Sequence, residues 1–317
     1  MGNRAVGADP VIDEVYLPFS SSELAGHFAP VKTRGEPGRH LAYYLASAKA
    51  AAEFRLQPAA GSLAEARRAR VRGRQMEKDE RFWVAAALMS LFHADGKDPL
   101  VRLLSGCLGE MPPFEGVSRW DEALGAKPEL YFEVSLPSPP SYQRHLVQQL
   151  DERVIVPYLR EAARRPGTRL EGATKVDALL LAPDTGFAVL FDAKVLADIS
   201  GDVEFDVLRN QMARNIDVML DRNPRLMWPL NQRNPDRSCF VLMTPEVFRS
   251  NRQSRLYGWL YDGYREDPAS LQRQLPHRQG VDFTSVVRRL GWATWEDCND
   301  ALPGACPWLG GSPQAGG

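Results

Sequence analysis

The chain has 317 residues, 44% hydrophobic and 25% charged, with 39 Lys and Arg against 40 Asp and Glu for a net charge of -1. Such values exclude a collagen, a low-complexity polymer and a wholly disordered chain. They also argue against a histone-like basic binder, while leaving room for a local basic groove, because net charge averages over the whole surface.

The first 38 residues are rich in Gly, Pro and Ser, show no sustained periodicity and read as an irregular arm. Leu41 to Ala52 is alanine-rich and predicts a helix, since alanine loses no side-chain entropy there. After a break at 58–62, Ser62 and Glu65 have capping-box spacing for a helix over 63–93. Its first half carries Arg67, Arg68, Arg70, Arg72 and Arg74, its second half the apolar run 82–92, and Gly73 can interrupt it. Residues 97–125 read as short helices and loops, so 1–130 is expected to be a mainly helical accessory region. A domain over 131–309 and a flexible tail over 310–317 follow.

Residues 130–137 predict a short strand, ended by the Pro- and Ser-rich stretch 136–141. Tyr142 to Arg165 places Leu146, Leu150, Val154 and Tyr158 on one stripe and predicts a long helix, which Pro157 should kink or split. Lys175 to Leu181 and Phe187 to Val195 are apolar runs around the turn sequence 182–186, a hairpin signal, and Thr168–Gly172 is a candidate for a preceding strand. A helix over 203–222, a buried strand over Cys239–Met243, a helix from 246 to about Tyr264 and a polar helix at 268–275 follow. Residues 290–298, with Trp292 and Trp295, read as a terminal packing motif.

Cys107, Cys239, Cys298 and Cys306 form no CxxC pair, and the five histidines do not cluster with them, so neither zinc nor a disulfide framework is expected. The N-terminal residues hold no apolar signal-peptide core, Val6 stands where a myristoylation pattern wants Ser or Thr, and no stretch is long enough to span a membrane. A cytoplasmic location is therefore the expectation.

The informative stretch contains Asp177, Asp192, Ala193 and Lys194, charged residues set in apolar strands. Asp192 and Lys194 are two apart and share a strand face. Counted from the turn, Asp177 and Asp192 are nearly cross-strand opposites. Two acids held together repel, and a divalent cation between them relieves the repulsion. All-oxygen ligands suit Mg²⁺ or Mn²⁺. Such an ion, with a lysine beside its water, is the minimum equipment for phosphodiester hydrolysis.

At these residues the chain resembles the PD-(D/E)XK nuclease superfamily. Asp177 falls on the family's first acid and Asp192-Ala193-Lys194 on its triplet, although Val176 stands where the motif's name has Pro. The resemblance covers about 140–245. It implies a restriction-endonuclease-like α/β core of helix, β-meander, helix and strand, with a mixed sheet flanked by helices. Helix 142–165, meander 168–195, helix 203–222 and strand 239–243 would supply those parts. It further implies Mg²⁺ (or Mn²⁺) held by Asp177, Asp192 and the Ala193 carbonyl, with Lys194 positioning the attacking water. Family members often add an acid on the first helix; Glu152 is the choice here, with Glu161 and Glu171 as alternatives. They also place a Gln in the following helix, where Gln211 stands. Arg209 and Arg214 in that helix, and Arg67, Arg70 and Arg74, are candidates for nucleic-acid contact. A metal-dependent nuclease is expected, acting on DNA rather than RNA in a defence, mobile-element or repair setting, as a homodimer or within a larger complex. Two other readings stand beside it: a non-catalytic nucleic-acid-binding or assembly subunit on the same fold, and a surface hairpin whose charges form only a salt bridge.

Overall fold

The computed structural model describes residues 9–28, 37–55 and 75–309. A small hairpin, β1 (Val11–Asp13) and β2 (Leu17–Ser20), leads into α1 (Ser21–Ala25) and α2 (Pro37–Arg55). Then come α3 (Gln75–Lys78), α4 (Glu80–Phe92), α5 (Asp98–Leu108) and α6 (Trp120–Ala123). The strand β3 (Glu129–Leu136) is followed by α7 (Pro140–Gln148), α8 (Leu150–Arg153) and α9 (Pro157–Ala163). Next are β4 (Thr174–Ala182), β5 (Phe187–Ala193), α10 (Gln211–Met219) and β6 (Ser238–Thr244). The chain closes with α11 (Glu246–Ser250), α12 (Leu256–Glu266), α13 (Pro268–Gln274), α14 (Phe283–Val287), β7 (Leu290–Thr294) and α15 (Trp295–Ala301). Among the described residues no helix is long and apolar enough to cross a membrane.

The architecture is mixed α/β. Five strands in the order β3-β4-β5-β6-β7 form one sheet, antiparallel from β3 to β5 and parallel from β5 to β7. Both faces are covered, which is why β5 and β6 are buried along their whole length and read as near-continuous apolar runs. On one face α4 lays Phe82, Val84, Leu88 and Leu91 against Ala178, Leu180, Val189 and Phe191. Trp295 and Cys298 of α15 join that layer. On the other face Met212, Ile216 and Met219 of α10, with Tyr257, Tyr261 and Tyr264 of α12, cover Leu179, Leu190 and Leu242.

The core on the first face runs unbroken across residue 130, so the helices expected as an accessory region form one of the layers that bury the sheet. The meander also differs from expectation. Its first strand is β3, not 168–172, and the 37 residues from 137 to 173 are an excursion between β3 and β4. The helix expected over 142–165 is three short helices, α7 to α9. Pro157 begins the last of them, where its missing N–H costs nothing. The helix expected from 203 starts only at Gln211. The Asn210 side chain accepts the Ala213 N–H at 2.9 Å and caps it, while Asp206 upstream is engaged by Tyr142 and Arg153. The span 246–264 breaks into α11, a single 3₁₀ turn and α12. The packing motif at 290–298 contains an edge strand, β7, and the start of α15, capped by Thr294.

The hairpin stands where the turn residues put it. Gly186 has φ +72°, a conformation open to glycine at little cost, and a Cβ there would lie 3.0 Å from the Asn234 Cβ.

Candidate metal and phosphodiester site

Pairing of β4 with β5 ends at Ala178 opposite Phe191, so the next step places Asp177 opposite Asp192. Beyond that step the strands part, and the Asp177 side chain takes over the pairing. Its Oδ2 accepts the Ala193 N–H at 2.8 Å. In an antiparallel ladder a residue's N–H and C=O face the same neighbour, which directs the Ala193 carbonyl toward Asp177 as well.

β3 adds a third acid to this row. Phe132 pairs with Ala178 and Val134 with Val176, so Glu133 falls between them, level with Asp177. At that level both strands lose their alternation. Phe132 and Ala178 belong to one core, whereas Val134 and Val176, two residues along, belong to the other. Glu133 accommodates the change with φ +56°, a left-handed conformation that costs a non-glycine residue about 1 kcal/mol or more. Such a position is retained where its side chain is needed.

Asp192 and Lys194 are 2% and 6% exposed, and the Lys194 ammonium donates to Asp192 Oδ1 at 3.0 Å. Gln211, first residue of α10, donates to the same oxygen at 3.4 Å. Its other end is tied to the loop after Lys194: the Ser200 N–H donates to Gln211 Oε1, and the Gln211 N–H donates to the Ser200 carbonyl, both at 3.1 Å. The other oxygen of Asp192, Oδ2, is buried and has no hydrogen-bond partner. A buried, unsatisfied carboxylate oxygen is costly unless something cationic completes it.

The protonation of the site follows from this crowding. Burial, then the Asp192 charge, push the Asp177 carboxyl up to about 8, against the pull of Lys194 and the Ala193 N–H. Burial pulls Lys194 down, but Asp192, Asp177 and their hydrogen bond outweigh it, so its ammonium is held more firmly than usual. The crowding therefore favours a proton on Asp177 at neutral pH.

A second acid approaches from the other layer. Asp79 caps α4 by accepting the Arg81 N–H at 3.2 Å, and this sets Glu80 as the first residue of the helix. Burial raises the Glu80 carboxyl, Lys194 draws it down and Asp192 raises it. Glu80, Glu133 and Asp177, with Lys78, Asp79, Arg81 and Lys175, line an open cavity of about 340 Å³. Lys175 and Arg81 form ion pairs with Glu133 across it.

The residues fit a hard cation in a specific sense. Among the described residues no three His, Cys, Asp or Glu side chains form a ready-made metal cage. Mg²⁺ is ordinarily held through one or two carboxylates, with waters and substrate phosphates completing its shell. Asp192 with an orphan oxygen and the Ala193 carbonyl could supply two such ligands, and Asp177 a third once deprotonated.

The sequence-based site is thus assembled in part. Asp177, Asp192, Ala193, Lys194 and Gln211 come together. Glu152 does not: it is exposed on α8, in the excursion between β3 and β4. Glu161 is exposed on α9, and Glu171 is buried against Arg209 at 3.1 Å. The helix packed on the meander from the first face is α4, and its first residue is Glu80. Arg209 is completely buried between Glu171 and Asp217, with its guanidinium 3.6 Å over the Tyr142 ring, and is not a surface contact for nucleic acid. Arg214 pairs with Glu171 at 3.2 Å and donates to the Gly172 and Ala173 carbonyls, holding the entry to β4. Arg67, Arg70 and Arg74 lie outside the described residues. Glu80 and Glu133 carried a usable signal. Glu133 is a charge inside an apolar strand, the same signature that picked out Asp177 and Asp192, and Glu80 opens the strongly apolar helix 80–92.

Comparison of the chain with family models, with curated proteins and with solved structures finds no match.

Proposed function

We propose that the protein is a metal-dependent nuclease that hydrolyses phosphodiester bonds, with DNA as its substrate. The observation that carries this is the half-buried Asp177 beside the buried Asp192 and Lys194, with one Asp192 carboxylate oxygen lacking any partner. The order α4, meander β3-β4-β5, α10 and β6 supports a restriction-endonuclease-like core of the PD-(D/E)XK kind, with 137–173 as an insertion. Asp177, Asp192 and the Ala193 carbonyl would hold Mg²⁺, which when bound neutralises charge on a phosphate and acidifies water.

The chain's own groups divide the remaining work. Lys194 keeps its proton and presents a fixed positive charge beside Asp192, where it holds and orients the attacking water. Gln211 fixes Asp192 from the other layer and ties it to the 195–200 loop. Asp177 would hold the cation as its carboxylate, its proton passing to solvent. The Glu80 charge from α4 also acts on Lys194 and helps hold its proton.

The test compares purified wild type with Asp192→Asn and Lys194→Ala on plasmid and linear DNA, with Mg²⁺ and with chelator. Cleavage by wild type in Mg²⁺, lost in both variants while their thermal unfolding stays cooperative, is the expected result. Equal cleavage by all three, or none by wild type on any DNA, sinks the reading.

A further inference from the structure

The loop that leaves Lys194 is anchored to the site at both ends. Lys194 donates to Asp192 at one end, and at the other Ser200 is joined to Gln211, which also reaches Asp192. Between them Asp198 caps α12, accepting the Leu256 N–H at 2.7 Å and the Tyr257 N–H at 3.3 Å. The loop thus holds the start of α12 close to the site. Leu196 is only two residues from Lys194, a span of at most about 7 Å.

This junction exposes apolar surface. Leu196 and Trp259 are each 57% exposed and Leu256 is 37% exposed, in a chain whose other α12 aromatics, Tyr257, Tyr261 and Tyr264, are buried. Leu256 and Trp259 are three apart and share one stripe of the helix. The Trp259 indole N–H donates to the Gln253 carbonyl at 3.2 Å, which fixes the ring while leaving its face open. Arg255 donates to the Ser254 and Leu196 carbonyls and forms no ion pair with a described carboxylate. The nearby acids are occupied, Asp198 by the helix cap and Asp262 by Arg252. The surface is therefore aromatic and cationic, the combination that holds single-stranded nucleic acid by stacking and phosphate contact.

We infer that Leu196, Leu256 and Trp259 with Arg255 form a shelf for an unpaired DNA segment beside the site, with a base stacked on the Trp259 indole and a phosphate on Arg255. The identity of the ligand rests on the nuclease reading. An unpaired segment fits better than duplex, because stacking needs a free base face.

The test measures binding of a fluorescein-labelled oligothymidylate of about 20 nucleotides, and of a hairpin duplex, by anisotropy in chelator, alongside cleavage in Mg²⁺. Trp259→Ala should weaken oligothymidylate binding roughly 5- to 150-fold, with little change for the hairpin, and Trp259→Phe should restore most of it. Arg255→Ala should flatten the salt dependence. Oligothymidylate binding by Trp259→Ala equal to wild type overturns the shelf, as does an equal loss on the hairpin. If that happens while wild type cleaves and Lys194→Ala does not, only the shelf fails. Trp259-dependent binding by a wild type that never cleaves overturns the nuclease reading and leaves the shelf.

Discussion

Two clusters of charge meet α10, one at Asp217 within it and one reached by Gln211 at its start, and they are built on opposite rules. In the first, Glu171, Asp206 and Asp217 are each met by guanidinium groups: Glu171 by Arg209 and Arg214, Asp206 by Arg153, and Asp217 by Arg209 and Arg278, with the His277 imidazole hydrogen-bonded to it. In the second, Asp177, Asp192 and Glu80 share Lys194, and Asp192 keeps an oxygen with no partner. Their protons answer accordingly. Asp217 is held below the ordinary carboxylate range, because its guanidinium and imidazole partners outweigh a burial that alone would raise it. Asp177 is pushed up to about 8 by burial and Asp192. A matched cluster holds the fold together; the unmatched one is where the proposed cation would bind.

The comparison breaks first at Lys194. Removing the one cation of the unmatched cluster should lower Mg²⁺-dependent cleavage by roughly a thousandfold while leaving the fold intact. Cleavage assays with circular dichroism on the same preparation check both halves. An active Lys194→Ala protein would mean that the cluster is structural after all.

The matched cluster makes the opposite prediction. Arg209→Met leaves Glu171 with Arg214 and the Ser138 hydroxyl, and leaves Arg278 as the guanidinium on Asp217, around a position where Arg209 itself is completely buried. Breaking a buried pair from one side costs about 3–5 kcal/mol, so urea unfolding should shift by that amount. A shift below about 1 kcal/mol would show that Arg209 is not a keystone.

The two clusters were unequally legible in the sequence. Asp177, Asp192 and Lys194 stand out because apolar strands tolerate charge only for a reason, and a tight turn fixes their register. The hairpin and the strand at 239–243 followed from the same local logic, whereas Gln211 came from the family resemblance. Arg209 was misread because helical periodicity cannot tell a solvated arginine from one enclosed by Glu171, 38 residues upstream, and by Asp217. Glu152 was misread for a topological reason. Residues 137–173 look like a core helix by their own pattern, but they are inserted between two paired strands, and only the pairing of β3 with β4 reveals it. The first-layer helix was then sought 60 residues too late. β7 was missed because a five-residue edge strand flanked by tryptophans has no distinct period.

Glu80 sharpens the comparison from the unmatched side. It reaches the cluster from α4, across the sheet layer, and shares the Lys194 charge. Glu80→Gln keeps its size and removes its charge. Activity should fall about 10- to 100-fold, the range for an outer partner of a metal site, with a smaller effect on stability than Arg209→Met. Glu152→Gln, on the exposed excursion, is the control and should cleave at wild-type rate. The reverse ranking would return the extra acid to α8.

The smallest effect separates the clusters by the sign of their response to pH. Asp177 has a folded value near 8 and an unfolded one of about 3.9, so between these the native state holds the extra proton. Its contribution to stability is full below pH 4 or so and is lost as pH rises toward 8. Asp217 is depressed, so its contribution is present above the unfolded value and lost as pH falls. A cation must displace the Asp177 proton, so Mg²⁺ affinity should rise about tenfold per pH unit up to roughly pH 8 and then level off. Calorimetric titration in two buffers of different ionisation enthalpy should count about one proton released per ion at pH 6.5 and none at pH 9. Asp177→Asn should abolish that release while leaving the acid-side loss of stability from Asp217 unchanged. Proton release that persists in Asp177→Asn would move the linked proton to another group, with Glu80 the next raised carboxyl in the site.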